Sequence, residues 1–196
     1  MIFQILAIVV LIGFYSIYIG KMILQKRGGI QTDQIAKGQK SKDVFITEVV
    51  MKLATYSVVL VEIISICKNT THAFTPLRFV GVILGIVGVA LFGIAVRTMK
   101  DSWRAGIPES DRTELVTTGV FRVSRNPAFL AFYLVYIGVL LMFFNWILLL
   151  FTILSMIMLH LQIRQEERFL VGAFGGEYQE YKQQTRRYIG RKSNTQ

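Results

Sequence analysis

Between Arg125 and Arg164 the chain carries no Asp, Glu, Lys or Arg. A water-soluble domain has no place for so long an apolar block, and one membrane helix needs only about 20 residues to cross the hydrocarbon layer. Residues 127–163 therefore read as two spans. Asn145 and Trp146 lie near the middle of the block and suit a tight helical turn at an interface, where Trp is favoured. Three further stretches are long and apolar enough to cross: residues 2–24, 44–67 and 77–96, the second interrupted by Glu48, Lys52 and Glu62. The first begins without a basic n-region, exceeds a signal-peptide core and is followed by no small-residue cleavage pattern, so it reads as a retained span. At 53% hydrophobic and 17% charged residues, the chain has too little polar surface for a soluble protein of its length. The fold class expected is all-α: a multi-span transmembrane helical bundle of about five spans with a cytosolic C-terminal helical segment. It reads as one membrane domain over residues 1–196.

The formal net charge of +10 would suggest nucleic acid in a soluble protein. Here the cations flank apolar runs, so membrane lipids and topology account for them and a nucleic-acid partner is not expected. The segment from Lys21, near the end of the first span, to Lys42 holds Lys21, Lys26, Arg27, Lys37, Lys40 and Lys42. Arg97, Lys100, Arg104, Arg112, Arg122 and Arg125 follow the third, and Arg164, Arg168, Lys182, Arg186, Arg187, Arg191 and Lys192 follow the fifth. Five alternating spans put all three basic segments on one side, which the positive-inside rule makes the cytoplasm, with the N-terminus outside and the C-terminus cytoplasmic. Cys67 is the single cysteine, and His72 and His160 stand far apart, so neither a disulfide nor a metal site is expected.

Local signals place the helix starts. Thr75-Pro76 and Asn126-Pro127 each set a capping side chain before a proline at the first helical position, and Ser41 or Asp43 can cap the second helix. Gly81, Gly85, Gly88 and Gly93 read as a close helix-packing face. Lys52 and Glu48 are four apart and are expected to pair, while Glu62 is expected near the outer surface or against other helices. Gly175-Gly176 reads as a helix stop, and the residues after Gly190 as a frayed end.

Polar side chains concentrate in residues 97–125 and 162–187. The first segment enters the fourth span and the second leaves the fifth, so both lie at the mouth of one helical hairpin. There they can close a site that takes a water-soluble cosubstrate from the cytosol and a greasy one from the bilayer. Three runs stand in the first segment: Thr113-Glu114-Leu115-Val116, Thr118-Gly119-Val120-Phe121 and Arg125-Asn126-Pro127-Ala128-Phe129. Glu166-Glu167, Phe174-Gly175, Tyr178 and Tyr181 follow in the second. In this order, with a hairpin between, they resemble the isoprenylcysteine carboxyl methyltransferases and the related phospholipid methyltransferases, from Trp103 to Tyr188.

That resemblance implies S-adenosylmethionine-dependent methyl transfer to a small lipophilic or lipid acceptor, with residues 97–190 as the cofactor-binding and catalytic half. It implies cofactor contacts at Thr113, Glu114, Leu115, Val116, Phe121, Asn126, Pro127, Ala128, Phe129 and Glu166, and catalytic roles for Arg125 and Glu166. Glu166 can pair with the cofactor's ammonium or accept from its ribose, an arginine can grip its carboxylate, and Phe121 or Phe129 can pack on adenine. Plainer roles compete: Asn126 as a helix cap, Arg122 and Arg125 as positive-inside anchors, and Glu166 and Glu167 as a solvated face pairing with Arg164 and Arg168. Tyr178, Tyr181 and Tyr188 read as interface aromatics, and Trp103 as a headgroup anchor or a cover over the site.

Three positions depart from the family pattern. Asn126 stands where the family has His, Phe129 where it has Tyr, and Gln162 where the eukaryotic enzymes use an arginine to hold a prenylcysteine carboxylate. The acceptor expected is therefore another lipophilic carboxylate, an amine or a thiol. Two other functions stay open from sequence: an NADPH-dependent membrane reductase of the steroid-reductase type, and a non-catalytic membrane subunit binding lipid or a partner through its basic face.

Overall fold

The protein is described from a computed structural model, which defines residues 1–69, 75–107 and 113–192. His72 and Arg112 lie outside the described residues. Among the described residues there are five α-helices, α1 (Ile2–Arg27), α2 (Lys42–Lys68), α3 (Thr75–Met99), α4 (Pro127–Met142) and α5 (Trp146–Gln184), with two short 3-10 turns between α3 and α4. Four of them are long and apolar enough to cross a membrane, and α4 is a shorter apolar helix in the hairpin with α5. Ile12, Leu53, Ile83 and Leu150, on four different helices, are all more than half exposed. Apolar side chains left outside all around a bundle mark a surface solvated by lipid, and the protein is an integral membrane protein.

The helix boundaries follow the local chemistry, with three corrections. Asn145 caps α5 as its position implies, its side-chain oxygen accepting from the Leu148 amide at 2.9 Å. Asn126 does not cap α4, although Pro127 opens that helix; its side-chain amide donates elsewhere. Ser41 likewise stands at the start of α2 without a capping bond. Gly175 bends α5 rather than ending it, with φ +53° and ψ −123°, and the helix runs on to Gln184. At 39 residues α5 is about 58 Å long. Its first part, residues 146–163, fills the hydrocarbon thickness, and the rest projects beyond it.

The glycine face of α3 receives α4. A Cβ on Gly81 would come within 2.5 Å of the Gly138 carbonyl oxygen, and one on Gly138 within 2.7 Å of the Gly81 oxygen. Without water to drive association, such backbone proximity and the dispersion it permits hold membrane helices together. Gly138→Leu is expected to force the pair apart and cost about 1–3 kcal/mol or more, read as a lowered midpoint in a thermal-aggregation assay of the detergent-solubilised protein. Whereas α4 packs mainly along α3, α5 packs mainly along α2. The Ser155 hydroxyl donates to the Ala54 carbonyl at 2.9 Å, and Gln165 donates to the Thr47 hydroxyl at 2.9 Å. The two arms of the hairpin thus belong to different helix pairs, and the space between those pairs is open.

All three basic segments meet at one end of the bundle. The Gln25 amide donates to the Trp103 carbonyl at 3.2 Å and accepts from the Thr32 hydroxyl at 2.7 Å. Residues 32–34 and Ala105 pair as a short parallel bridge. Gly106, at φ +88°, lies so close that a Cβ would stand 2.8 Å from the Ile35 nitrogen. Glu48 ties these loops down. Its fully buried carboxylate accepts from the Ala36 amide at 2.6 Å, the Ile107 amide at 3.1 Å and the Lys40 ammonium at 2.6 Å. The expected Glu48–Lys52 pair is therefore replaced by Glu48–Lys40, because the loop brings a cation and two amides to the same carboxylate.

Candidate functional site

At this end α5 leaves the hydrocarbon and carries two adjacent carboxylates that point about 100° apart around the helix. Glu167 turns toward the start of α4. It accepts from Arg125 at 2.9 Å, from Arg187 at 2.8 Å and from the Asn126 side-chain amide at 3.2 Å. Burial acts to raise the Glu167 carboxyl, but the hydrogen bonds from Arg187 and Arg125 outweigh it and hold the group below the usual carboxylate range. Among the described residues its ion pairs are with Arg125 and Arg187, not with Arg164 or Arg168.

The C-terminal segment is clamped around this carboxylate. Arg125 also donates to the Thr185 carbonyl at 2.7 Å, its amide to the Arg186 carbonyl at 3.1 Å, and the Asn126 side chain to the Arg187 carbonyl at 3.2 Å. The Lys192 amide donates to the Gln184 carbonyl at 2.8 Å and Arg191 bridges to Thr185, so the chain is held as far as residue 192; the rest of the expected frayed end, residues 193–196, lies outside the described residues.

Glu166 faces the other way, into a cavity of about 230 Å³. The Gln162 amide donates to it at 3.1 Å. Burial is the main influence on this carboxyl and pushes it up to about 7; Gln162 and Lys40 act to lower it, Glu48 and Glu167 to raise it. Gln162 is itself buried, and its own side-chain oxygen has no hydrogen-bond partner. The Tyr178 hydroxyl is also buried and unpartnered beside the cavity. Buried polar atoms left without partners are costly, and here they stand where a ligand can satisfy them.

Of the residues singled out from sequence, the cavity is lined by Leu115, Val116, Phe121, Arg125, Asn126, Pro127, Ala128, Phe129 and Glu166. Thr113 and Glu114 do not line it; Glu114 is exposed, and its amide donates to the Ser102 hydroxyl at 3.2 Å. Asn126 and Glu166 lie at the same mouth, since the Asn126 side chain touches Glu167, the neighbour of Glu166. Arg125 lines the cavity while its guanidinium is bound by Glu167 and main-chain carbonyls.

Apart from Trp103, named from sequence as a headgroup anchor or a cover, sequence reasoning did not place the other walls. Tyr178 and Tyr181 are buried against Phe121 and Ala95 instead of resting at an interface, because the bend at Gly175 brings the end of α5 over the cavity. The Tyr181 hydroxyl donates to the Phe121 carbonyl at 2.6 Å. Trp103 is 4% exposed and covers the site. Below it Tyr18, Phe92 and Phe132 form an aromatic wall; Phe92 and Phe132 have centroids 5.6 Å apart, Tyr18 and Trp103 5.5 Å. Tyr15, Lys52, Thr55, Tyr56 and Tyr136 extend the lining into the helices. The only signal for them in the sequence was polar and aromatic residues inside apolar runs. Glu62 is fully buried among the helices, with no partner for either oxygen among the described residues.

The fold and site define a helical membrane protein whose spans enclose a chamber, polar at one end and aromatic within. Residues 81–172 match the model of the isoprenylcysteine carboxyl methyltransferase (ICMT) family. Over 108 residues the chain is 32% identical to the probable protein-S-isoprenylcysteine O-methyltransferases of Oryza sativa subsp. indica and subsp. japonica. Each alignment covers 54% of this chain and 56% of the rice protein, so the chain spans about half the length of the curated relatives it matches. The matched segment runs from within α3 to Gly172 on α5. The segment takes in Arg125 and Glu166 but leaves out α1, α2 and the clamp at Arg187.

Proposed function

We propose that this protein transfers a methyl group from S-adenosylmethionine to a lipophilic acceptor at the cytoplasmic face of the membrane. The observation that carries the reading is one chamber joining a polar mouth at Glu166, Gln162 and Tyr178 to an aromatic channel among the helices. A cosubstrate from water and an acceptor from lipid can meet there.

The residues at the mouth fit the cofactor's chemistry. Glu166 is a carboxylate for its ammonium, and the unpartnered Gln162 oxygen is an acceptor for a further N–H or O–H. Phe121 and Phe129 offer apolar faces for a purine, beside the main chain of Leu115 and Val116. When bound, the cofactor supplies an electrophilic methyl group on a sulfonium. The chain's share of the work is alignment and dryness. Trp103 and the tyrosines of α5 cover the chamber against water, and Glu48 holds the loops over it. Arg125 acts as a positioning residue: through Glu167 it fixes the first turn of α4, from which Asn126 and Phe129 reach the chamber.

The pH dependence follows from Glu166. A carboxyl pushed up to about 7 is mostly neutral below that value and ionised above it. S-adenosylmethionine affinity is expected to fall as pH drops below 7, approaching about tenfold per unit. Calorimetric titrations in detergent from pH 5.5 to 7.5 measure this, and a flat wild-type profile would remove Glu166 as the ammonium partner. A protein that binds NADPH but gives no saturable heat with S-adenosylmethionine would overturn the methyltransferase reading.

A further inference from the structure

The ammonium of Lys52 is a cation in search of an anion. It stands on α2 one turn further into the bundle than Glu48, where its side chain lines the chamber. Among the described residues no carboxylate pairs with it, since Glu48 is held by Lys40 and two amides. Its recorded contact is the ring of Tyr56, 6.0 Å from the centroid. The other cations of the chamber are engaged: Arg125 by Glu167, and Arg104 by the carbonyls of Asp101 and Trp103. A lysine at this depth is costly in hydrocarbon and is retained where something compensates it.

The surroundings say what kind of anion fits. Gln162 is uncharged and its unpaired side-chain oxygen is an acceptor, so it offers an anionic head no charge to pair with. Beyond Lys52 the lining is aromatic, with Tyr15, Phe132 and Tyr136, and suits an extended apolar tail. Access from the side is open, because α1 and α2 touch little along their lengths and Tyr56, between chamber and lipid, is 65% exposed.

Resting on the methyltransferase reading, we propose that Lys52 is the head-group residue for the acceptor, and that the acceptor is a long-chain carboxylate entering from the bilayer between α1 and α2. In the transfer a carboxylate oxygen forms a bond to the methyl carbon as the carbon–sulfur bond breaks and its electron pair stays on sulfur. The carboxylate's negative charge and the sulfonium's positive charge cancel, no proton moves, and the product is a neutral methyl ester. Lys52 attracts the acid and has no such hold on the ester, so the same contact that captures the acceptor favours release of the product.

The test uses the full chain in zwitterionic phosphatidylcholine nanodiscs, with Trp146→Phe so that Trp103 in the chamber reports alone. Brominated hexadecanoate is titrated against brominated hexadecylamine, hexadecanethiol and hexadecyl phosphate, and tryptophan quenching is read. Saturable quenching by hexadecanoate is expected, weakened about tenfold or more in Lys52→Gln and recovered in Lys52→Arg. S-adenosylmethionine binding, followed by calorimetry, is expected unchanged in Lys52→Gln, which also shows that the variant folds. Hexadecanoate binding that ignores Lys52→Gln, or tighter binding of the amine, the thiol or the phosphate, overturns the assignment. Lys52-dependent hexadecanoate binding in a protein that binds no S-adenosylmethionine would sustain Lys52 as a carboxylate site and sink the methyltransferase reading instead.

Discussion

Glu167→Ala is expected to unfold the mouth of the chamber and destabilise the protein by about 3–5 kcal/mol, the usual cost of removing one partner from a buried ion pair. The carboxylate is 4% exposed and accepts from Arg125, Arg187 and Asn126 at once. Its loss leaves the Arg125 guanidinium buried without its anion and releases the C-terminal segment from the start of α4. Glu167→Gln keeps one acceptor and loses the charge, so it should fall between wild type and alanine. Thermal unfolding in detergent, read by Trp103 fluorescence in a Trp146→Phe background, ranks the three proteins. An alanine variant as stable as wild type would show that the clamp contributes little. Arg187→Ala should cost less, because its side chain is 34% exposed and its ion pair is partly screened by water.

Glu166→Gln is expected to do the opposite: little harm to the fold and a large loss of ligand. Glu166 touches one protein donor, Gln162, and otherwise faces the chamber. Glutamine fills the same space and removes only the charge offered to the cofactor's ammonium. A charge-assisted hydrogen bond is worth about 1.5–3 kcal/mol, so S-adenosylmethionine affinity should fall roughly tenfold to a hundredfold. The variant should also lose the pH dependence below 7. Calorimetric affinities of wild type and variant at pH 7.5 decide the matter; equal values would assign Glu166 to the scaffold. Neighbouring carboxylates thus give opposite phenotypes, one in stability and one in binding.

The contrast also marks where sequence and structure part. Both residues sit in one polar run after an apolar span, and charge patterning offers each the same i,i+3 or i,i+4 partners on α5. Their separation depends on which way each points once α5 is docked on α2. It depends as well on Arg125 and Arg187, which are 42 and 20 residues away in the chain. Glu48 repeats the lesson: its near neighbour Lys52 was the natural partner by spacing, and a loop supplied Lys40 with two amides instead.

What the amino-acid sequence determined by itself is the part governed by the bilayer. Hydrocarbon tolerates no unpaired backbone, so apolar runs of sufficient length must be helices, and their number, their rough limits and the turn at Asn145 follow from composition alone. Gly81 and Gly88 announced the close seam with α4, and the run from Arg125 to Phe129 with Glu166 announced the mouth of the chamber. Only the tertiary structure decided that α4 leans on α3 while α5 leans on α2, and so leaves a space between them that α1 and α2 help to wall. No local rule encodes that choice, because lipid solvates every apolar face about equally well. Which faces turn inward is settled by shape and by a few polar contacts distant in sequence. The same reason hid Tyr18, Lys52 and Tyr178, whose roles exist only once the helices have chosen their neighbours.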